Sequence, residues 1–490
     1  MIDVYTWPTP NGHKVHIMLH EAEIEHNIMP INIQEGDQFK PDFLKISPNN
    51  KMPAIVDPDG PDGKPISVFE SAACLIYLAN KTGKFLPKDE RKHYDVLQWL
   101  MFQMGSVGPM LGQCHHFNAY APLREPPERL EYAQNRYINE GTRIYGVIDR
   151  QLEGKDWIAA GEYTIADMAI MPWLRDPVKQ GIEGDKFPNL MRWRDKMWAR
   201  PQVLAALDTL KDKGRKDHSF TDKGWEIMYG KTQSSQGTAA EYARVVPSPV
   251  RGSGARVFSM IDLYSYRTSN GRKVSIMLAE CGLEYSLHIV DITAGDQDAP
   301  AFRAINPNGR IPAIVDRDGP GGEPLALFES GAILLYLASK TGKFLPADEA
   351  DRWVAIQWLM WQMGGGGPNF GQAFHFLHQH ADDAPADAVA YGRKRYGDEV
   401  RRLCAVMDAR LASCAFLAGG AYSVADIATY PWVALHKWFD LDLAEMPHLR
   451  RWYAAIGERP AVQRGMDVPS RDEMEKHAQE CAETTTKETL

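Results

Sequence analysis

Apolar residues change their spacing partway along the chain, and the change separates two kinds of element. Ile2 to Tyr5, Ile28 to Ile33, Ala54 to Val56 and Ile66 to Phe69 are short apolar runs that predict strands. Between the first two, Val15, Met18, Leu19 and Ala22 fall at i, i+3, i+4 and i+7, so they share one face of a helix. Beyond Leu86 and Pro87 the strand signals stop, and long segments rich in Trp, Met and Leu predict an all-helical unit. Thr164-Ile165-Ala166-Asp167 and Ser423-Val424-Ala425-Asp426 have the spacing of capping boxes, which marks helix starts and gives Asp167 and Asp426 a structural role.

The pattern then repeats. Met1-Ile2-Asp3-Val4-Tyr5 returns as Met260-Ile261-Asp262-Leu263-Tyr264, and the same offset of 259 residues relates Phe69 to Phe328, Trp99 to Trp358 and Phe117 to Phe376 without a gap. A period this long indicates a duplicated domain set, because each copy can bury its own core. The expected order is an α/β unit over 1–87, a helical unit over 88–210, a linker over 211–259, a second α/β unit over 260–346, a second helical unit over 347–470 and a polar tail over 471–490. The linker rests on the basic run at 211–216 and on the Ser, Gly, Ala and Pro of 233–254. The tail is poor in apolar residues and is expected to be solvated or frayed.

Composition removes several function classes. With 44% hydrophobic and 24% charged residues, the chain is neither disordered throughout nor fibrous. Its 55 Lys and Arg against 64 Asp and Glu leave a net charge of −9, so no basic field gathers nucleic acid. No apolar run approaches the roughly 20 residues of a membrane span, and the start at Met1-Ile2-Asp3 has no basic or apolar leader, which predicts a cytoplasmic protein. Six cysteines in no CxxC pair predict reduced thiols. His375, His378 and His380, and the run Cys114-His115-His116, lack the spacing of a ligand set, so no metal is expected.

Four local signals recur in both copies: Thr9-Pro10-Asn11-Gly12 with Thr268-Ser269-Asn270-Gly271, Gln38 with Gln297, Lys51-Met52-Pro53 with Arg310-Ile311-Pro312, and Phe69-Glu70-Ser71 with Phe328-Glu329-Ser330. With the α/β then all-α order, they make each half resemble the cytosolic glutathione transferases, and the run from Ser106 to Phe117 resembles their bacterial Nu class. The resemblance implies a tandem fusion of two lobes, each a thioredoxin-like domain followed by a helical one, with glutathione as cofactor. It also implies that the lobes pair with each other as a family dimer does.

The same resemblance distributes roles. Ser71 and Ser330, at helix starts whose free N–H groups favour an anion, would take the γ-glutamyl carboxylate, and Glu70 and Glu329 its α-amino group. Pro53 and Pro312 match a cis-proline that exposes the backbone of Met52 and Ile311 to the cysteinyl amide. Lys51, Arg310, Gln38 and Gln297 become partners for the glycyl end, while Arg136 and Arg395 resemble an arginine that reaches the ligand region. Thr9, Asn11, Thr268 and Asn270 would hold the glutathione sulfur, since no cysteine stands there to act as a protein nucleophile. Tyr5 and Tyr264 are expected in the core. Met104, Met110, His115, Phe117 and Trp173 in the first lobe, and Trp361, Phe370, Phe374, His375 and Phe376 in the second, would line an apolar electrophile pocket.

Lowering a thiol pKa from about 8.5 to about 7 raises its thiolate fraction at neutral pH roughly 15-fold, but weaker nucleophilicity removes roughly 5-fold of that. Positioning the substrate therefore counts for more than activating sulfur. The implied reaction is thiolate attack on a small aromatic electrophile, with lignin-derived β-aryl ethers favoured as substrate. The alternatives are a glutathione-dependent disulfide-bond oxidoreductase and a non-catalytic glutathione-binding or scaffold module.

Overall fold

A computed structural model of the chain describes residues 1–213, 221–229, 261–379 and 386–488. The first unit comprises β1 (Ile2–Thr6), α1 (Pro10–Ala22), β2 (His26–Pro30), α2 (Pro41–Ile46), β3 (Ala54–Asp57), β4 (Ile66–Phe69) and α3 (Ser71–Thr82). Its sheet runs β2-β1-β3-β4. β1 is parallel to β2, with Val4 opposite Ile28, and antiparallel to β3, with Val4 also opposite Ile55. A parallel pair needs a crossover, and α1 supplies it. Val4, Ile55 and Val68 of the sheet and Val15, Leu19 and Leu75 of the helices are all fully buried, as the spacing of their apolar positions requires.

The start of α1 is set by local chemistry. Thr9 accepts the Gly12 N–H at 3.3 Å, and Pro10 occupies the first turn, where its missing N–H costs nothing. Gly12 is needed for the close approach of helix to strand, because a Cβ there would stand 2.2 Å from the Trp7 carbonyl oxygen.

The helical unit continues with α4 (Glu90–Phe102), α5 (Gly108–His115), α6 (Glu131–Gln151), α7 (Ile165–Ile170), α8 (Pro188–Trp198) and α9 (Pro201–Asp208). Asp167 is fully buried and accepts from the Thr164 N–H at 3.0 Å, the Ile158 N–H at 3.0 Å and Trp193 Nε1 at 2.9 Å. Asp426 repeats this with Ser423, Leu417 and Trp452. Both carboxylates tie a helix start to the rest of the bundle, as the capping-box spacing predicts.

The second lobe repeats the plan: β5 (Ile261–Ser265), β6 (Tyr285–Ile289), β7 (Ala313–Asp316) and β8 (Leu325–Phe328) form a sheet of order β6-β5-β7-β8. Both lobes are thus mixed four-stranded sheets followed by helices. The Phe69 N–H donates to Gln357 Oε1 at 3.0 Å, and the Phe328 N–H to Gln98 Oε1 at 3.3 Å, so the last strand of each sheet is held by a helix of the other lobe. Arg402 donates to the Asn49 backbone oxygen at 3.2 Å, and Arg143 to that of Asn308 at 2.9 Å.

Two segments differ from the sequence expectation. Within 211–259 a helix, α10 (Asp222–Tyr229), packs on the first lobe; the Ser- and Gly-rich stretch at 233–254 lies outside the described residues. The polar tail contains a helix, Arg471–Glu488. Ser470 and Glu473 cap it reciprocally, the Glu473 N–H donating to Ser470 Oγ at 3.2 Å and the Ser470 N–H to Glu473 Oε2 at 2.6 Å. His380 lies outside the described residues. Among the described residues no helix is long and apolar enough to cross a membrane.

Candidate active site

The start of α1, the loop before β3 and the start of α3 converge on a cavity of about 770 Å³ lined by Asn11, Lys51, Met52, Pro53, Glu70 and Ser71. Met52–Pro53 is a cis peptide bond. Glu70, immediately before α3, has φ 67°, a conformation costly for a residue with a side chain by about 1–3 kcal/mol. Its carboxylate is anchored by Asn49 Nδ2 at 3.3 Å. The second lobe forms an equivalent cavity of about 910 Å³ around Asn270, Arg310, Ile311, Pro312, Glu329 and Ser330. Ile311–Pro312 is also cis, Glu329 has φ 66°, and Asn308 Nδ2 donates to its carboxylate at 3.3 Å.

Most of the residues singled out from sequence meet in these cavities, with exceptions. Thr9 and Thr268 cap their helices and do not line the cavities; Thr9 Oγ1 lies 3.8 Å from Met52 Sδ. Gln38 lines the first cleft, but Gln297 does not line the second and instead donates to Asp298 at 3.2 Å. Arg136 and Arg395 change places: Arg395 lines the first cleft and Arg136 the second. Each bonds a glutamine of the opposite lobe, Arg136 to Gln372 at 3.2 Å and Arg395 to Gln113 at 3.1 Å. Tyr5 is half-buried against Phe43 and Tyr264 against Phe302, away from the clefts.

The pocket walls need more correction. Met104, Met110 and Trp173 line the first cleft and His375 the second, whereas Phe117, Trp361, Phe370 and Phe376 are core residues at most 1% exposed. His115 and Phe374 line neither; His116, one residue on, faces the first cleft. The reason is local. Residues Gln103–Val107 and His116–Tyr120 form π-helical turns, whose extra residue shifts the phase of the 3.6-residue repeat.

The family Glutathione S-transferase, N-terminal domain, matches residues 9–81 and 269–340, and Glutathione S-transferase, C-terminal domain, matches residues 113–201 and 370–460. The chain belongs to the glutathione S-transferase family. It is similar to the disulfide-bond oxidoreductase YfcG of Escherichia coli (strain K12), 46% identical over 208 residues that make up 42% of this chain and 94% of that protein. It is also similar to the disulfide-bond oxidoreductase YghU of the same organism, 42% identical over 42% of this chain and 74% of that protein. A solved glutathione transferase family member from Pseudomonas fluorescens pf-5, with two glutathione bound, is 44% identical over 42% of this chain and 92% of its own, at a TM-score of 0.40.

In this transferase the floor of each cleft holds a residue that the sequence reading missed. Lys14, on α1, is 1% exposed; its Nζ donates to Ser71 Oγ at 3.2 Å and to Gln103 Oε1 at 2.7 Å. Lys273 repeats this with Ser330 at 3.3 Å and Gln362 at 2.6 Å. Burial pushes both ammonium groups down to about 7, against the opposing pull of Glu70 and Glu329. Glu70 keeps part of its surface open to the cleft, yet the surrounding protein pushes its carboxyl up to about 6; the same effect takes Glu329 to about 7. The available signal was a lysine repeated at offset 259 inside an otherwise buried helix stripe. Among the described residues no cysteine lines either cleft.

Proposed function

We propose that this transferase uses glutathione as its thiol to reduce disulfides, in two clefts that each draw on both lobes. The observation that carries this reading is the absence, among the described residues, of any protein thiol from the lining of clefts where Asn11 or Asn270 and a helix N-terminus converge: the reacting sulfur would then arrive with the ligand. The names of the two relatives from Escherichia coli support disulfides as the substrate class.

The residues present fit a tripeptide with a carboxylate at each end. Ser71, backed by the Lys14 ammonium, would take the γ-glutamyl carboxylate, and Glu70 the neighbouring ammonium. Among the described residues buried Gln38 Oε1 has no hydrogen-bond partner, and it would offer an acceptor to a ligand N–H near the glycyl end. Lys51 and Arg395 would supply positive charge there, and the Met52 backbone would pair with the cysteinyl amide. Asn11, at the start of α1, would donate to sulfur, with Thr9 fixing that helix start. Ser330, Lys273, Glu329, Arg310, Arg136, Ile311, Asn270 and Thr268 would serve alike in the second cleft.

Bound there, glutathione supplies a thiolate that bonds one sulfur of the disulfide and expels the other as a thiolate that takes up a proton; a second glutathione thiolate then attacks the glutathione sulfur of that mixed disulfide, forming glutathione disulfide and expelling the remaining thiolate, which is protonated in turn, so two thiols are oxidised as one disulfide is reduced. Cleavage of β-aryl ethers is the second reading, favoured by Met110, Trp173 and His116 in the first cleft. There sulfur would bond to carbon as the C–O bond breaks and phenolate takes up a proton. Titration calorimetry with glutathione is expected to give two sites per chain, with steady turnover of hydroxyethyl disulfide. Uptake without turnover of either substrate would leave a binding module. No uptake would end the proposal.

A further inference from the structure

The first cleft has a wall that the second lacks. Trp225, Met228 and Tyr229 of α10 line the same cavity as Asn11 and Glu70. Among the described residues, none beyond Trp432 lines the second cleft. At the repeat offset, Trp225 and Tyr229 correspond to Thr484 and Glu488, so the duplicated sequence carries no aromatic pair for the second lobe.

α10 is fastened at several points. Asp222 pairs with Arg124 at 2.5 Å and Lys223 with Glu35 at 2.5 Å. Ile227 is 8% exposed, and a Cβ on Gly36 would stand 3.9 Å from its Cδ1, so the helix rests directly on the loop after β2. Its rings extend an aromatic surface that crosses the lobe boundary. The Trp225 ring lies 6.2 Å from His116 at 26°, and Tyr229 lies 4.8 Å from His116. His116 in turn stacks on Tyr391 of the second lobe at 6.2 Å and 13°. The Arg395 guanidinium lies 5.5 Å from the Tyr229 ring, joining the wall to a residue of the proposed glutathione site.

We propose that α10 determines the specificity of the first cleft: Trp225 and Tyr229, beside His116, hold the planar aromatic part of a substrate next to the sulfur, a grip that α10 gives to the first cleft and not to the second. This rests on reading the clefts as glutathione sites. Aromatic rings recognise other rings by offset or edge contacts, which an aliphatic disulfide cannot return. The segment joining the repeats is therefore part of one active site as well as a tether.

The test uses the full chain with Trp225→Ala and Tyr229→Ala combined, assayed on the mixed disulfide of glutathione with benzyl mercaptan and on hydroxyethyl disulfide. KM for the benzyl substrate is expected to rise about tenfold, as the loss of two ring contacts implies. KM for hydroxyethyl disulfide and the glutathione isotherm should stay within about twofold, a margin below 0.5 kcal/mol. Trp225→Phe with Tyr229→Phe, which keeps the rings, should restore most of the preference and guards against misfolding of the alanine variant. Equal rises for both substrates, or no change in either, would overturn the proposal. A parent chain that takes up no glutathione would instead sink the reading of the clefts, and the isotherm keeps these failures apart.

Discussion

The first cleft has α10 along one wall, whereas no described residue past Trp432 lines the second; both share an asparagine at the first helix start, a cis-proline, a Glu-Ser helix entry and a buried lysine. The shared groups are those suited to an unchanging tripeptide. The differing groups line the space left for the other substrate. On the proposed function, binding of a common ligand and selection of a variable one would rest on separate residues, and a duplicated chain could alter the second without disturbing the first.

The largest test of that separation is Asn11→Ala against Asn270→Ala. Losing a hydrogen bond to a charged sulfur costs about 1.5–3 kcal/mol, so kcat/KM for the benzyl disulfide is expected to fall about 100-fold in Asn11→Ala and little in Asn270→Ala. Equal losses measured by steady-state kinetics would mean that both clefts turn over the aromatic substrate.

Next is Lys14→Met, expected to weaken glutathione in the first cleft about tenfold by calorimetry, because Ser71 loses a charged donor. The pH profile carries the sign. Lys14 is charged below about 7, so its help is lost as pH rises through that value; Glu70 is charged above about 6, so its help is lost as pH falls through that value. Affinity in the first cleft should peak between these values, and Lys14→Met should abolish only the alkaline decline. In the second cleft Lys273 and Glu329 both titrate near 7, so the peak should be sharper and lie near that pH.

Gln357→Leu leaves the buried Phe69 N–H of β4 unpaired, just before Glu70. It should cost about 1–3 kcal/mol in denaturant unfolding and weaken glutathione in the first cleft more than in the second. Gln98→Leu should reverse that preference. The smallest effect is expected from Asn369→Met, a position that lines the first cleft and not the second: a rise of about two- to fivefold in the ratio of benzyl to hydroxyethyl turnover, corresponding to less than about 1 kcal/mol of apolar contact.

Much of the frame was legible beforehand. The run Ile66 to Phe69 is β4 itself, the stripe of Val15, Met18, Leu19 and Ala22 is buried on α1, and the two capping boxes close as their spacing implies. Lys14 was not legible as part of the site, because a lysine on a helix normally reads as solvated and only packing seals it beneath Ser71. His116, not His115, faces the first cleft, downstream of the π-helical turn Gln103–Val107, whose extra residue periodicity does not announce. α10 escaped notice because eight residues within a linker-like composition carry too little periodic signal.

The amino-acid order by itself determined the duplication, the succession of strand-rich and helical units, and the turns that start α1 and α3, because these follow from spacings within a few residues of one another. Tertiary structure alone decided which side chains share a cleft. Arg395 meets Gln113 across 282 residues of chain, and Arg136 meets Gln372 across 236. Such pairs have no local signature: their energy depends on two complete lobes burying the same surface, and a side chain faces one cleft or the other only once that surface exists.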